Sequence, residues 1–265
     1  MKSNCEKIAN SGREIGQIMG IKINSTSTDL VLARVKKFIS DSVKFYIVTP
    51  NPELILASQT DVRLKKALNE ADIAIPDGIG LKLAIPSLKI IKGRKLFSDL
   101  IKLSAQNHWK VFLLGGLGDE ARLAAQKLKN LPEIDNRELK IEFDSGPKFD
   151  DNAEPVSEED RKIEEDVIEK INRFAPKLLF LAFGNPKQEI WINNNLPGLN
   201  IGGAMAVGGA FRYAAGLSKL PPVWMEKLGL EWLWRGITEP KRLARIFRAV
   251  VIFPISYFTY SCSKH

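Results

Sequence analysis

Leu178 to Phe183 is a run of six apolar residues with nothing polar between them, and a strand of that pattern has to be covered on both faces. Such strands belong inside parallel sheets, so the chain must supply helices above and below this one. Gly184 stops the run, Asn185 is a residue type that caps helices, and Pro186 suits a first helical position, where no N–H is needed. Lys187, Gln188 and Glu189 then fall in the first helical turn, off the carboxyl end of the strand. Open α/β sheets bind ligands at that edge, which makes this loop a candidate site.

The same unit recurs along the chain. Phe45–Val48 ends in Thr49-Pro50-Asn51, a very short strand after Asp72 ends in Asp77-Gly78, Lys110–Leu114 ends in Gly115-Gly116, and Ile201–Val207 ends in Gly208-Gly209. Helices are expected from Pro52 to about Asn69, over Lys82–Leu88, Leu96–Asn107 and Asp119–Asn130, and at about 157–174. Alternation of strands and helices over about 45–210 predicts an α/β, Rossmann-like fold: a mostly parallel sheet with helices on both faces. Right-handed crossovers would bring all five polar or glycine-rich ends to one edge. Ile15–Asn24 reads as an edge strand or hairpin, and residues 1–14 as a flexible lead, so the Rossmann-like domain is expected to span 15–210. The acidic insert 144–166 has no assignable role.

Composition changes after this point. Phe211 to His265 holds nine Lys/Arg against three acids, a net +6 out of the formal +8 of the whole chain. Val223 to Arg235 reads as one helix carrying Trp224, Trp232 and Trp234, and Glu239-Pro240 opens another, on which Arg242, Arg245 and Arg248 recur at steps of three. Leu243, Ile246, Phe247, Val250 and Val251 fall opposite them. Residues 211–265 thus form a basic, amphipathic helical appendage suited to an anionic partner or a membrane surface. The uncharged run Ala249–Ser263 has 15 residues and contains Pro254; a spanning helix needs roughly 20, so this run is expected to lie on a membrane. The tryptophans would serve a homo-oligomer interface equally well.

Several classes lose support. Cys5 and Cys262 make neither a disulfide framework nor a metal site, His108 and His265 have no metal-ligand neighbours, and the first twenty residues lack a secretory pattern. We therefore expect no metal, no cofactor and a cytoplasmic location. The glycines follow neither the dinucleotide fingerprint nor the P-loop, and the apolar run 249–260 argues against nucleic acid. Asp77 reads as a general base or as a turn residue before glycine. Gly115-Gly116 reads as a backbone phosphate cradle. Thr49 and Asn51 are ligands or helix caps, and Lys187 and Glu189 are site residues or a solvated face.

Five stretches carry a resemblance: Thr49-Pro-Asn-Pro-Glu53, Ile75-Pro-Asp-Gly78, Phe183-Gly-Asn-Pro-Lys-Gln-Glu189, Val207-Gly-Gly-Ala-Phe211, and Leu228-Gly-Leu-Glu-Trp-Leu-Trp-Arg235 through Glu239-Pro-Lys-Arg242. In order and spacing they resemble the WecG/TagA/CpsF family, glycosyltransferase family 26. The resemblance implies a Rossmann-like domain with a C-terminal appendage that closes over the site at the inner face of the cell membrane. It implies inverting, metal-independent transfer of an N-acetylmannosamine-type sugar from a UDP donor to polyprenyl-diphosphate-linked N-acetylglucosamine, for teichoic acid or a similar surface polymer. Asp77 matches the family's proposed general base, Thr49, Asn51 and Gln188 its substrate pocket, and Arg235, Arg242 and Arg245 the arginines thought to hold diphosphate. Asn185, Gly115, Gly116, Gly208 and Gly209 complete the expected binding edge. One departure is Arg94-Lys-Leu-Phe-Ser-Asp-Leu100, where Phe97 replaces the family's glycine; a ring there is expected to alter the donor pocket. If it blocked the pocket, the chain would be a nucleotide-sugar sensor or scaffold without turnover.

Overall fold

The computed structural model describes residues 15–134, 139–238 and 243–263. Six strands form one parallel sheet: β3 (Phe45–Val48), β4 (Ile73–Ala74), β5 (Val111–Gly115), β6 (Ile141–Asp144), β7 (Leu178–Ala182) and β8 (Gly203–Ala206), in the order β4-β3-β8-β7-β5-β6. β1 (Ile15–Ile18) and β2 (Ile21–Asn24) pair antiparallel as a separate hairpin.

Each strand's alternate side chains enter different cores. Phe45 and Ile47 join Phe97, Phe180 and Phe211 on one face. Tyr46 and Val48 join Phe112, Trp191 and Phe253 on the other. Helices α1 (Thr28–Ser40), α4 (Gly93–Gln106) and α5 (Glu120–Lys129) cover the first face; α2 (Pro52–Ala57), α3 (Val62–Glu70), α6 (Glu158–Phe174) and α7 (Lys187–Asn195) cover the second. The unalternating apolar strands are thus buried on both sides, as their composition requires.

Several expected helices differ in extent, each for a local reason. The segment from Pro52 is two helices, because Asp61 turns its carboxylate onto the N–H groups of Arg63 and Leu64 and starts α3 afresh. Lys82–Leu88 is not a helix; a 3-10 turn over Ile79–Leu83 is all that forms. Pro186 takes the N-cap position of α7 rather than its first turn, and Asn185 does not cap the backbone. Helix α8 (Ala210–Ala214) follows β8, and Ala210 and Phe211 are in the first core.

The expected single helix 223–235 is two, α9 (Val223–Lys227) and α10 (Glu231–Thr238), separated at Gly229, whose φ of 72° is left-handed. The expected helix start at Glu239-Pro240 lies outside the described residues. From Leu243 to Cys262 the chain is one helical rod, with α11 (Leu243–Phe247), a π-helical turn over Arg248–Ile252 and α12 (Phe253–Cys262). Pro254 breaks nothing, since it falls in the first turn of α12 directly after the π turn. These 20 residues are long and apolar enough, by length and composition, to cross a membrane, more than the 15-residue run alone promised. One side of the rod nevertheless rests on the domain: Phe253 is fully buried in the second core and the Tyr257 hydroxyl donates to the Ala84 carbonyl at 3.4 Å. Burying one such ring stabilises docking by about 1.5–3 kcal/mol.

Candidate active site

The strand ends meet at the carboxyl edge as parallel topology demands. The Asp77 N–H donates to the Pro50 carbonyl at 2.9 Å, joining the ends of β4 and β3. The Asp77 carboxylate accepts from the Gly93 N–H, the first residue of α4, at 3.3 Å. Thr49 stands against the same glycine: a Cβ there would lie 3.2 Å from Thr49 Cγ2 and 3.2 Å from Asp77 Oδ2. Thr49, Asp77 and the start of α4 therefore form one contiguous cluster, in which a side chain at position 93 would be tight against both neighbours.

Asn51 acts as a cap, its Oδ1 accepting from the Leu54 N–H at 2.9 Å. Gln188 is 2% exposed, and both ends of its amide are engaged. Its Nε2 donates to Asn185 Oδ1 and to Glu189 Oε1, each at 2.8 Å, and its Oε1 accepts from the Gly208 N–H at 3.1 Å. It ties the β7 loop to the β8 loop. Gly209 sits at the N-cap of α8.

Gly115 and Gly116 depart from the phosphate-cradle expectation. The Gly116 N–H donates to the Ala182 carbonyl at 3.0 Å, and the next amide, of Leu117, is taken by Glu120 Oε2 at 3.1 Å. Both amides are thus already hydrogen-bonded within the chain.

Two first-turn residues expected as a possible solvated face are not one. Lys187 Nζ donates to the Phe149 carbonyl at 2.6 Å, which anchors the acidic insert beside the β7 loop, where Phe149 also packs edge-on against Phe183. Glu189 is wholly buried, and its Oε2 makes no hydrogen bond among the described residues. Burial pushes its carboxyl up to about 7, with the Glu53 charge adding and the Gln188 hydrogen bond and Arg245 opposing. Sequence reasoning left Glu189 as a site residue or a solvated side chain, because nothing local marks a glutamate as buried.

The appendage reaches the same edge. Arg245 Nε donates to Glu53 Oε1 at 2.5 Å, at the first turn of α2. Arg235 lies on α10, and Arg242 lies outside the described residues. Phe97 is 2% exposed, with its ring 4.8 Å from that of Phe180 and 5.8 Å from that of Phe211. It is core filling, which removes the physical ground for a blocked donor pocket. Among the described residues, no group of three or more His, Cys, Asp or Glu side chains could hold a metal ion. A groove lined by Lys36, Lys37, Asp41, Asn107 and Trp109 opens at the opposite, amino edge of the sheet and includes none of these site residues.

A parallel α/β domain with its polar loops at one edge offers a ligand site there, and a basic, apolar appendage reaches the same edge. Residues 16–264 match the model of the glycosyl transferase WecG/TagA/CpsF family, and the chain belongs to that family. It is a glycosyltransferase. Among curated relatives, it is 29% identical over 246 residues to the N-acetylglucosaminyldiphosphoundecaprenol N-acetyl-beta-D-mannosaminyltransferase of Staphylococcus aureus strain MRSA252, covering 89% of both chains. The enzyme of the same name from strain NCTC 8325 is 28% identical over 244 residues, again covering 89% of each.

Proposed function

We propose that this chain transfers an N-acetylmannosamine-type sugar, with inversion, from a UDP donor to N-acetylglucosamine on a polyprenyl diphosphate, at the cytoplasmic face of the membrane. Its product would feed a cell-surface polysaccharide or teichoic acid. The observation that carries the reading is the Asp77 carboxylate, held at the carboxyl edge by the Gly93 N–H with Thr49 alongside. The relatives' shared name supplies the sugar and the acceptor.

Asp77 would accept the proton of the acceptor hydroxyl as that oxygen attacks the anomeric carbon and the UDP oxygen leaves. Thr49 and Asn51 line the neighbouring β3 end, and Gln188 acts by shaping the Asn185 and Gly208 loops rather than by touching substrate. Charge develops on the departing diphosphate, and in a metal-independent reaction guanidinium groups must stabilise it. Arg235, Arg242 and Arg245 are assigned that role. Exposed Trp224, Leu228, Ile237, Phe247, Ile255 and Phe258 on the appendage would enter the membrane surface.

The test is transfer from UDP-N-acetylmannosamine to a short-chain polyprenyl-diphosphate N-acetylglucosamine, with chelator present. Product formation that survives chelation supports the whole reading. Activity with another donor sugar alone would correct the sugar, and dependence on added metal would overturn the arginine assignment.

A further inference from the structure

Gly93 sits between two cations that bind the appendage. Lys92 Nζ lies 2.7 Å from Glu226 Oε1 on α9 and 3.0 Å from Glu231 Oε2 on α10. Arg94 Nη2 lies 2.8 Å from the same Glu226 oxygen, and its Nε 3.4 Å from Glu231 Oε1. The Arg94 guanidinium also stands 5.8 Å from the centre of the Tyr213 ring. All four charged side chains are between 16 and 35% exposed, and the Lys92 hydrogen bond, helped by both positive charges, holds Glu226 below the usual carboxylate range. Isolated surface pairs contribute little, but interlocked, partly desolvated charges hold one geometry.

The start of α4 needs such help. Its N-cap is Lys92, which makes no side-chain capping bond, and its first residue is glycine. A turn that begins with glycine and has no cap from its own N-cap residue depends on contacts from outside the helix. Yet that turn supplies the N–H that holds Asp77.

We propose that Lys92, Arg94, Glu226 and Glu231 are positioning residues that couple docking of the appendage to the setting of the Asp77 carboxylate through the Gly93 N–H. The proposal rests on the assignment of Asp77 as the base. With the appendage docked, residues 92–94 are pinned on both sides and the N–H points at Asp77. With the clamp released, the turn frays and the carboxylate loses its bond to the Gly93 N–H. Chemistry is thereby confined to enzyme whose diphosphate-binding arginines are in place.

The test compares wild type with the Glu226→Gln/Glu231→Gln double variant, reading amide hydrogen exchange at Gly93 and steady-state kinetics. Exchange at Gly93 is expected to quicken about fivefold, the effect of a lost helix cap. The kcat is expected to fall about tenfold, as for a misplaced catalytic group, with donor KM nearly unchanged. A charge-swapped protein (Lys92→Glu and Arg94→Glu with Glu226→Lys and Glu231→Arg) should recover both readouts. Unchanged Gly93 exchange and kcat while α9 and α10 lose protection would overturn the coupling. So would a swapped protein that folds and docks its appendage without recovering Gly93 protection. Failure of the base assignment shows separately, as full activity in Asp77→Asn, while Gly93 exchange measured with Asp77 intact still reports the clamp.

Discussion

Arg245 and Glu53 stand 2.5 Å apart, Nε to Oε1, although 192 positions of sequence separate them. Glu53 follows Asn51 by two residues, so this one contact sets a tail arginine beside the end of β3. Both side chains are partly exposed, at 43% and 26%, and a pair of that kind contributes at most about 1 kcal/mol to stability. Arg245→Ala should therefore barely move the urea midpoint. Its kcat/KM for the UDP-sugar donor should fall by about 10- to 100-fold, the value of a charge-assisted bond to phosphate. Glu53→Gln should leave that ratio within a few-fold of wild type.

Glu189 predicts a pH dependence. Its carboxyl titrates near 7 in the folded chain against an ordinary value of 4.5. The folded state therefore holds a proton that the unfolded state releases, and stability falls as pH rises from 4.5 towards 7. The contribution is complete below the lower value and gone above the upper one. Urea midpoints measured from pH 5 to pH 8 should show this slope in wild type. Glu189→Gln keeps the partner for Gln188 and should flatten it; an unchanged slope would assign the titration elsewhere.

Gln188→Ala removes the amide that joins Asn185, Glu189 and Gly208. Glu189 is buried and Asn185 and Gly208 are half-buried, so leaving them unpaired should cost about 1–3 kcal/mol in all. Denaturant unfolding measures that loss, and kcat should drop with it because the β7 and β8 loops lose their tie.

Phe97→Ala should destabilise by about 3–5 kcal/mol, the usual effect of emptying a buried aromatic site. Because the ring packs on Phe180 and Phe211, the ratio of kcat/KM values for competing donor sugars should not change. A shifted ratio would place Phe97 in contact with the donor after all.

Much of this architecture was legible along the chain. Unalternating strands such as Leu178–Ala182 ending abruptly in polar or glycine pairs announce a parallel sheet and its ligand edge. Helix breaks at Asp61 and Gly229 were also written locally, as a capping carboxylate and a left-handed glycine, but continuous apolar periodicity masked them. Ion pairs across the fold carry no local signature. Lys92 with Glu226, and Glu53 with Arg245, look like ordinary surface charges until the appendage is folded back. Phe97 misled for the opposite reason: a family pattern predicted a ligand-facing glycine, whereas the neighbouring aromatic rings make the position part of the core.

The most direct test of the central claim sets wild type beside Asp77→Asn, measuring sugar transfer and UDP binding on the same preparations. The account predicts that the variant loses about 10²- to 10⁴-fold in kcat, the share of a general base, while its affinity for UDP stays within about twofold, a difference well under the 1.4 kcal/mol of a tenfold change. Transfer at the wild-type rate by Asp77→Asn would contradict it.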